Sequence, residues 1–249
     1  MRYIDINCDL GELDDGSDLQ IMPYISSCNI ACGGHAGNPD LMLKAIQEAS
    51  RYLVTIGAHP GYADRTHFGR KSVSLENMEI TLLIYDQVTR LQNIAVTERA
   101  SIRYVKLHGA LYHDAAEHQE IARAVVEGVK KTGLGLAVLG PVHSALERET
   151  LTAGLKFFME SFIDRRYNRN GRLVPRTAPD AVIGDRESIE KQLREIALER
   201  KVSTIDGAQI DLEADSICIH GDHAGALENA QAIRKLLSGE GITVKSFLT

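Results

Sequence analysis

The stretch Tyr3–Glu12, YIDINCDLGE, decides the fold prediction. Residues 3–8 predict a β-strand, and the polar sequence NCDLGE begins at its end. Because successive side chains of a strand alternate between its two faces, Asn7 and Asp9 share one face. Similar polar clusters flanked by glycine follow the apolar bodies of five further predicted strands: NIACGGHAG (29–37), GAHPGYADRTHFGR (57–70), KLHGALY (106–112), FIDRRY (162–167) and HGDHAG (220–225).

Short β-rich runs alternate with longer helical runs along the whole chain, which is typical of a mostly parallel sheet. The predicted strands are 3–8, 27–31, 54–58, 102–107, 134–139, 155–162, 181–183, 201–205, 216–219 and 242–247. The predicted helices are 39–51, 75–97, 188–200, 224–237, and one that starts with a capping box at Asp114 and Glu117.

The position of the six polar clusters favours a closed barrel over a doubly wound sheet. In a parallel barrel all strand ends share one face, and barrel enzymes assemble their sites there. A doubly wound sheet would use mainly the loops at its switch point. We therefore expect one irregular (β/α) barrel over residues 1–249, with its site at the C-terminal ends of the strands.

Composition excludes several classes of protein. The chain has 249 residues, 44% of them hydrophobic, with 28 Lys and Arg against 34 Asp and Glu, and a net charge of −6. Without a concentrated basic patch we expect no nucleic-acid partner, and without a long apolar run we expect no membrane span. Asp5 and Asp9 interrupt any signal peptide, and four cysteines without a CxxC pair indicate reduced, buried thiols. The predicted location is the cytoplasm.

Histidines and carboxylates recur at the predicted strand ends. Four strand ends independently carry a histidine, which packing alone does not explain, so we interpret them as one shared site. The candidate catalytic residues are Asp9, His35, His59, His108, His220 and Asp222. They suit two chemistries: Asp9, His35 and His59 could bind a divalent metal, or the set could act without metal as general acid and base. The sequence spacing of these residues does not decide between the two chemistries.

Arginines are concentrated in the two longest segments that follow strands. A guanidinium group matches a carboxylate or a phosphate, so a small anionic substrate is predicted. The candidate substrate-binding residues are Asn7, Glu12, Asn29, Lys106, Asp164, Arg165 and Arg176. The sequence contains neither a GxGxxG nor a Walker A motif, so any nucleotide site is unconventional or belongs to a partner.

Six motifs in order, DINCDLGE, NIACGGHAG, GAHPGYAD with FGR, KLHGALY, FIDRRYNRNGRLVPR and SICIHGD, resemble those of the LamB/YcsF family over nearly the whole chain. The resemblance implies a barrel similar to that of glycoside hydrolases and polysaccharide deacetylases. It also implies ATP-dependent opening of the lactam ring of 5-oxo-L-proline to L-glutamate, with ADP and phosphate as products, by a complex with two other 5-oxoprolinase subunits.

These lines combine into one mechanistic hypothesis. Phosphorylation of the lactam oxygen makes its carbon electrophilic, and water activated by Asp9 or a histidine adds to it. His108 or His220 donates to the developing charge, and Arg165 or Arg176 binds the substrate carboxylate. Two alternatives remain open: a stand-alone metal-dependent deacetylase or amidohydrolase, and a non-catalytic subunit that binds substrate.

Overall fold

Ten strands and seven α-helices alternate in the computed structural model, which describes residues 2–220 and 225–248. The strands are β1 (Arg2–Leu10), β2 (Ser27–Ala31), β3 (Thr55–His59), β4 (Ile102–Lys106), β5 (Ala137–Pro141), β6 (Phe157–Phe162), β7 (Lys201–Ser203), β8 (Gln209–Asp211), β9 (Ser216–His220) and β10 (Ile242–Val244). The helices are α1 (Pro39–Tyr52), α2 (Asn77–Thr97), α3 (Gly109–Glu117), α4 (Gln119–Lys131), α5 (Ala145–Thr152), α6 (Arg186–Arg194) and α7 (Ala226–Gly239). A 3₁₀ helix covers Ser17–Tyr24, and a π-helical turn covers Glu195–Glu199.

Seven strands close a parallel barrel in the order β1-β2-β3-β4-β5-β6-β9, because β9 pairs with both β6 and β1. β10 pairs with the start of β1, and β7 and β8 form a separate antiparallel pair. The predicted irregular (β/α) barrel is therefore confirmed. Its closure places every strand end that carries a polar cluster on one face.

The barrel interior is apolar at its base and polar above. Phe247 closes the base, with its ring centroid 5.1 Å from that of Tyr104 and 4.6 Å from that of Phe158. Gly57 makes room for this layer, since a Cβ there would lie 2.3 Å from the Tyr104 ring. Above it, the inward alternation of β1 brings Asp5, and then two further polar residues of the same face, into the interior.

Most predicted elements are present, with a few exceptions. Asn38 caps α1 through a side-chain bond to Leu41 N, with Pro39 at the first helical position, as predicted. The predicted capping box at Asp114 is wrong. Asp114 lies inside α3, and its carboxylate accepts one hydrogen bond from a tyrosine hydroxyl and one from a serine hydroxyl. The predicted strand at 181–183 forms only an isolated bridge to the segment after β6, and the sequence pattern does not predict β8.

All four cysteines, Cys8, Cys28, Cys32 and Cys218, are buried free thiols, as predicted. Within residues 2–220 and 225–248, no helix combines the length and the apolar character that crossing a bilayer requires.

Replacement of Asp5 by Asn should remove a pH dependence of stability. Burial raises the pKa of Asp5 from 3.8 to about 6, although hydrogen bonds from serine hydroxyls oppose the shift. The folded protein therefore binds this proton more tightly than the unfolded chain does. The resulting stabilisation is complete below about pH 4 and is lost as the pH rises through about 6, which amounts to about 3 kcal/mol.

The measurement is the free energy of unfolding by denaturant for the wild type and Asp5→Asn from about pH 4 to about pH 7. We expect the wild type to lose about 3 kcal/mol relative to the variant as the pH rises. The exposed Asp40→Asn substitution is the control and should run parallel to the wild type. A wild-type curve parallel to that of Asp5→Asn would contradict the prediction.

Candidate active site

A cavity of about 640 Å³ opens at the C-terminal ends of the barrel strands. Seven of the predicted site residues line it: Asp9, Glu12, His59, Lys106, His108, Arg165 and Arg176. Residues outside the predicted candidate set also line it, among them Tyr112, His113, Glu160 and Arg172. The cavity therefore collects polar side chains from β1, β3, β4 and β6 and from the loops after them.

Lys106 lies at the floor of this cavity and is 2% exposed. Its Nζ lies 2.8 Å from Asp9 Oδ1, 2.9 Å from Glu160 Oε1 and 3.0 Å from Cys218 Sγ. Burial lowers the pKa of Lys106, but the neighbouring negative groups, with Asp9 first, raise it well above its usual value. The ammonium is therefore charged and joins side chains from four strands.

Asn7 and Asn29 support this arrangement from below. Asn29 Nδ2 donates to Asn7 Oδ1 at 2.7 Å and to Asp9 Oδ1 at 2.8 Å, and Lys106 Nζ donates to Asn7 Oδ1 at 3.2 Å. Tyr104 completes the chain with a 2.6 Å hydrogen bond from its hydroxyl to Asn29 Oδ1. Both amides are fully buried and do not line the cavity. Their hydrogen bonds orient Asp9 and Lys106.

Beside Asp9, four buried residues form an acid–histidine cluster: Glu12, His35, His59 and His108. Glu12 Oε1 lies 2.9 Å from His35 Nε2, 3.2 Å from His108 Nδ1 and 3.7 Å from His59 Nε2. His59 Nε2 lies 3.0 Å from His108 Nδ1 and 3.3 Å from Asp9 Oδ2. His35 stacks on His108, with ring centroids 3.5 Å apart.

Backbone carbonyls determine which imidazole nitrogens carry hydrogen. His59 Nδ1 donates to the carbonyl of Lys106 at 2.9 Å, and His108 Nε2 donates to the carbonyl of Phe68 at 2.8 Å. In the neutral rings, His59 Nε2 and His108 Nδ1 are therefore acceptors, and they face each other beside the Glu12 carboxylate. Such a concentration of lone pairs is stable only with a proton or a cation among them.

The cluster has the spacing and the donor types of a metal site. Ligand atoms bound tetrahedrally at about 2.0–2.1 Å from a zinc ion lie about 3.3 Å apart. The distances from Glu12 Oε1 to the three histidine nitrogens run from 2.9 to 3.7 Å, and all four ligand atoms lie within 4.8 Å of one another. Backbone carbonyls that bind the second nitrogen of a histidine are usual around metals. The four residues could hold a metal ion. Of the predicted ligands, His35 and His59 belong to this group, whereas Asp9 lies beside it.

Local charge sets the protonation of the cluster. Burial lowers the pKa of His35 to about 3, despite its hydrogen bond with Glu12, so this ring is neutral. Burial also lowers the pKa of His59, but the charge of Asp9 outweighs it and the net shift is upward. Burial raises the pKa of Glu12, whereas its contacts with His108 and His35 bring it far below its usual range. Glu12 is therefore ionised.

Gly109 is required for the position of His108. Its φ of 56° lies in the left-handed region, and a Cβ at this position would lie 2.5 Å from the carbonyl oxygen of Gly69. Ala110 N donates to that same oxygen at 2.9 Å, which fixes the loop that carries Phe68 against the start of α3. The glycine thus allows the loop to present its carbonyl to His108.

In the closed strand order, β6 lies across the barrel from β1–β4, which lead to the acid–histidine cluster. Three arginines from the segment after β6 form an arginine wall there: Arg165, Arg172 and Arg176. Arg165 is 3% exposed; its Nη2 donates to the Val174 carbonyl at 2.7 Å, and its buried Nε has no hydrogen-bond partner among the described residues. Burial and then the charge of Arg176 lower the pKa of Arg165 to about 10. An anion bound here would relieve this repulsion.

Arg172 fastens this segment over the cavity. Its Nε lies 2.7 Å from Glu117 Oε1 at the end of α3, and its Nη1 and Nη2 donate to the carbonyls of Val142 and His143 at 2.9 and 3.1 Å. These contacts join the segment after β6 to α3 and to the loop after β5. The arginine wall is thereby fixed across the barrel from the cluster.

Four further predicted site residues lie away from the cavity surface or outside the described residues. His35 is behind His108, and Asp164 is buried next to the cavity without lining it. The side chain of His220, and all of Asp222, lie outside the described residues. Glu160 was not predicted from the sequence. It lies two positions before Phe162, the end of a predicted strand, so the two side chains face the same side, and a charged residue at such a position is a usable signal.

The fold and cavity define a (β/α)-barrel protein with an acid–histidine cluster and an arginine wall at the C-terminal ends of its strands. The chain belongs to the LamB/YcsF family, whose family model matches residues 4–249. The sequence resemblance is thus confirmed.

Individual relatives are similar over their full length. The chain is 41% identical over 245 residues to the A subunit of 5-oxoprolinase from Staphylococcus carnosus (strain TM300), covering 97% of both proteins. It is 41% identical over 250 residues to the A subunit of 5-oxoprolinase from Chloroflexus aggregans (strain MD-66 / DSM 9485), covering 99% of both. The crystal structure of a lactam utilization protein from Thermus thermophilus superimposes with a TM-score of 0.91 at 35% identity, covering 98% of this chain and 99% of that one.

Replacement of Lys106 by Met should destabilise the fold strongly. It leaves the carboxylates of Asp9 and Glu160 buried without a counter-charge, which costs about 3–5 kcal/mol. Denaturant unfolding measures the loss. The control is Lys191→Met, which removes a 72% exposed lysine 3.8 Å from Glu195 and should cost under about 1 kcal/mol. Equal losses in the two variants would contradict the central position given to Lys106.

Proposed function

We propose that this chain is a subunit of an ATP-dependent 5-oxoprolinase, which opens the lactam ring of 5-oxo-L-proline to L-glutamate. The observation that carries the proposal is one cavity with an arginine wall on one side and the acid–histidine cluster with Asp9 on the other. The substrate is a small ring with a carboxylate at one end and an amide carbonyl at the other. The full-length relatives, which are named as 5-oxoprolinase subunits, support the same conclusion.

Charge complementarity orients the substrate in this cavity. Arg165, with a buried and unpartnered Nε, binds the substrate carboxylate together with Arg176 at the mouth. The lactam carbonyl then points across the cavity toward Asp9 and the cluster. The reacting carbon thereby lies between the groups that can activate water and those that can stabilise negative charge.

Proton transfer falls to Asp9. It lines the cavity, and Lys106, Asn29 and His59 fix its position, so a water above it would meet an oriented carboxylate. His108 does not donate to the substrate, because its Nε2 donates to the Phe68 carbonyl and its Nδ1 faces His59 and Glu12; we assign it to the cation site instead. His220 and Asp222 remain catalytic candidates by sequence position alone.

We propose a divalent cation at Glu12, His35, His59 and His108. The support is the set of facing lone pairs on His59 and His108, whose other nitrogens are bonded to carbonyls. Such a cation would polarise a carbonyl oxygen or lower the pKa of a bound water. Asp9, which lies outside this group, keeps its role as a base.

ATP and the two other 5-oxoprolinase subunits complete the proposed enzyme. The cavity, at about 640 Å³, is larger than a single small lactam needs. That space suits a transferred phosphoryl group next to the lactam oxygen. The relatives are named as one subunit of their enzyme, which supports a complex. We place it in the cytoplasm, in keeping with four unpaired, buried thiols.

Metal binding can be tested on the isolated chain. After chelator treatment, titration calorimetry with Zn²⁺ and with Mn²⁺ should show one equivalent bound by the wild type. His59→Ala should weaken binding at least about 100-fold, because it removes a direct ligand. The matched control is His67→Ala, which removes a 43% exposed histidine paired with Asp64. Absence of binding by the wild type, or equal binding by His59→Ala, would overturn the metal proposal.

Turnover is tested with the chain alone and with its two partner subunits, by following loss of 5-oxo-L-proline with and without ATP. We expect activity only in the complex and only with ATP. The single substitutions His35→Ala, His59→Ala and His108→Ala should each abolish turnover and leave the fold intact by circular dichroism. His67→Ala, away from the cavity, should retain full turnover.

The same assay separates the alternatives. Full activity in all three histidine variants would overturn the site assignment. ATP-independent hydrolysis of another amide by the chain alone would instead favour a metal-dependent amidohydrolase, which the acid–histidine cluster would suit. Variants that change affinity or assembly without changing the chemical step would indicate a non-catalytic subunit.

A further inference from the structure

Glu160 is a buried carboxylate in the cavity for which the fold supplies no hydrogen bond of ordinary geometry. It lies on β6 and is 3% exposed, and neither of its oxygens accepts such a bond from a described residue. Oε1 lies 2.9 Å from Lys106 Nζ, in an orientation outside hydrogen-bond geometry, so this contact is an ion pair. The side chain lines the same cavity as Asp9 and Arg165.

The Tyr112 side chain has its hydroxyl group next to Glu160. It lines the same cavity, and its hydroxyl is also buried without a hydrogen bond of ordinary geometry among the described residues. Burial and then the charge of Glu160 raise the pKa of Tyr112 well above its usual value, so the phenol keeps its proton. The two groups therefore lie beside each other in the wall of the cavity, as an acceptor and a hydroxyl.

The other carboxylates that line the cavity in the described part of the chain are differently placed. Asp9 accepts hydrogen bonds from a lysine and an amide, and Glu12 contacts three histidines. Asp114 accepts from two hydroxyls, and Glu117 pairs with an arginine. A buried carboxylate that has an ion pair but accepts no hydrogen bond of ordinary geometry is incompletely stabilised, and its cost falls when a bound molecule donates to it. Glu160 is therefore suited to a ligand that brings an N–H or O–H donor.

The lactam has such a donor. Its carboxylate and its carbonyl oxygen accept hydrogen bonds, and its ring N–H is the group that can donate. With the carboxylate on the arginine wall and the carbonyl toward the acid–histidine cluster, the N–H needs an acceptor in the cavity. We propose that Glu160 accepts the hydrogen bond of the ring N–H and so selects lactams over the corresponding lactones. This inference rests on the proposed function and adds a specificity residue to it.

The same position serves the ring-opening step. Water oxygen bonds to the carbonyl carbon of the phosphorylated lactam, the carbon–nitrogen bond breaks, and the two protons of that water pass by way of Asp9 to the nitrogen, which becomes an ammonium group. A second water then releases phosphate from the oxygen and leaves L-glutamate. Glu160 then faces a cation in place of a neutral N–H, so the hydrogen bond, already charge-assisted by the carboxylate, becomes one between opposite charges. The Tyr112 hydroxyl beside it can accept a second N–H of that ammonium group.

The test compares two ligands with the assembled complex: 5-oxo-L-proline and the γ-lactone of the same ring size and carboxylate, which has a ring oxygen in place of N–H. Dissociation constants are measured by calorimetry, and turnover is measured with ATP. The wild type should bind the lactam at least about tenfold more tightly than the lactone. The lactone places its ring oxygen against a Glu160 oxygen with no hydrogen between them, so the hydrogen bond is lost.

Glu160→Gln should reduce this preference to about twofold or less, because the amide can donate to the lactone oxygen and loses the charge-assisted bond to the lactam. Glu160→Asp keeps the charge opposite Lys106 but shortens its reach. It should lose the same preference, and it provides the test if the Gln variant does not fold. Glu127→Gln, a 56% exposed residue of α4 away from the cavity, is the control and should keep the wild-type ratio.

The outcomes separate the inference from the proposed function. An unchanged ratio of lactam to lactone affinity in a folded Glu160 variant, with normal lactam turnover by the wild type, overturns the role of Glu160 alone. Equal binding of lactam and lactone by the wild type also overturns it. Failure of the wild-type complex to open 5-oxo-L-proline overturns the proposed function itself.

Discussion

One buried ammonium group organises the interior of this barrel. Lys106 Nζ lies within 3.2 Å of side-chain atoms of Asn7 and Asp9 on β1, Glu160 on β6 and Cys218 on β9. A charge taken out of water in this way is tolerable only when opposite charges and hydrogen bonds surround it. The requirement runs both ways, because Asp9 and Glu160 could not remain buried as carboxylates without Lys106. Side chains on three other strands therefore depend on one atom.

The cavity follows from how the polar interior is layered. Three aromatic rings, with Phe247 at their centre, close the base, and the amides of Asn7 and Asn29 form the next layer. The carboxylate of Asp9 stands on that layer and contacts both Lys106 and the acid–histidine cluster. Each layer satisfies the polar groups of the one above it. At the top, groups that the fold leaves incompletely paired face the cavity, where a ligand can complete them.

Much of the fold could be predicted from the sequence, because local patterns carry the needed information. Asn38 followed by Pro39 marks a helix start wherever it lies in the fold, and the alternation along β1 gives the shared direction of its polar side chains. The prediction at Asp114 failed because its side chain bonds to Tyr62 and Ser72, which are distant in sequence. A carboxylate with tertiary partners cannot be distinguished from a helix cap by its neighbours alone.

The sequence by itself determined the alternation of strands and helices, the polar clusters at the strand ends, and therefore the face on which the site lies. Only the tertiary structure decided which contacts each polar residue makes. Asn7 and Asn29 support Asp9 and Lys106, Glu12 contacts three histidines, and Glu160 pairs with Lys106. The reason is physical. A side chain's direction follows from the local backbone period, whereas its partners depend on barrel closure and strand register, which join residues more than 200 positions apart, such as Asn7 and Ser216.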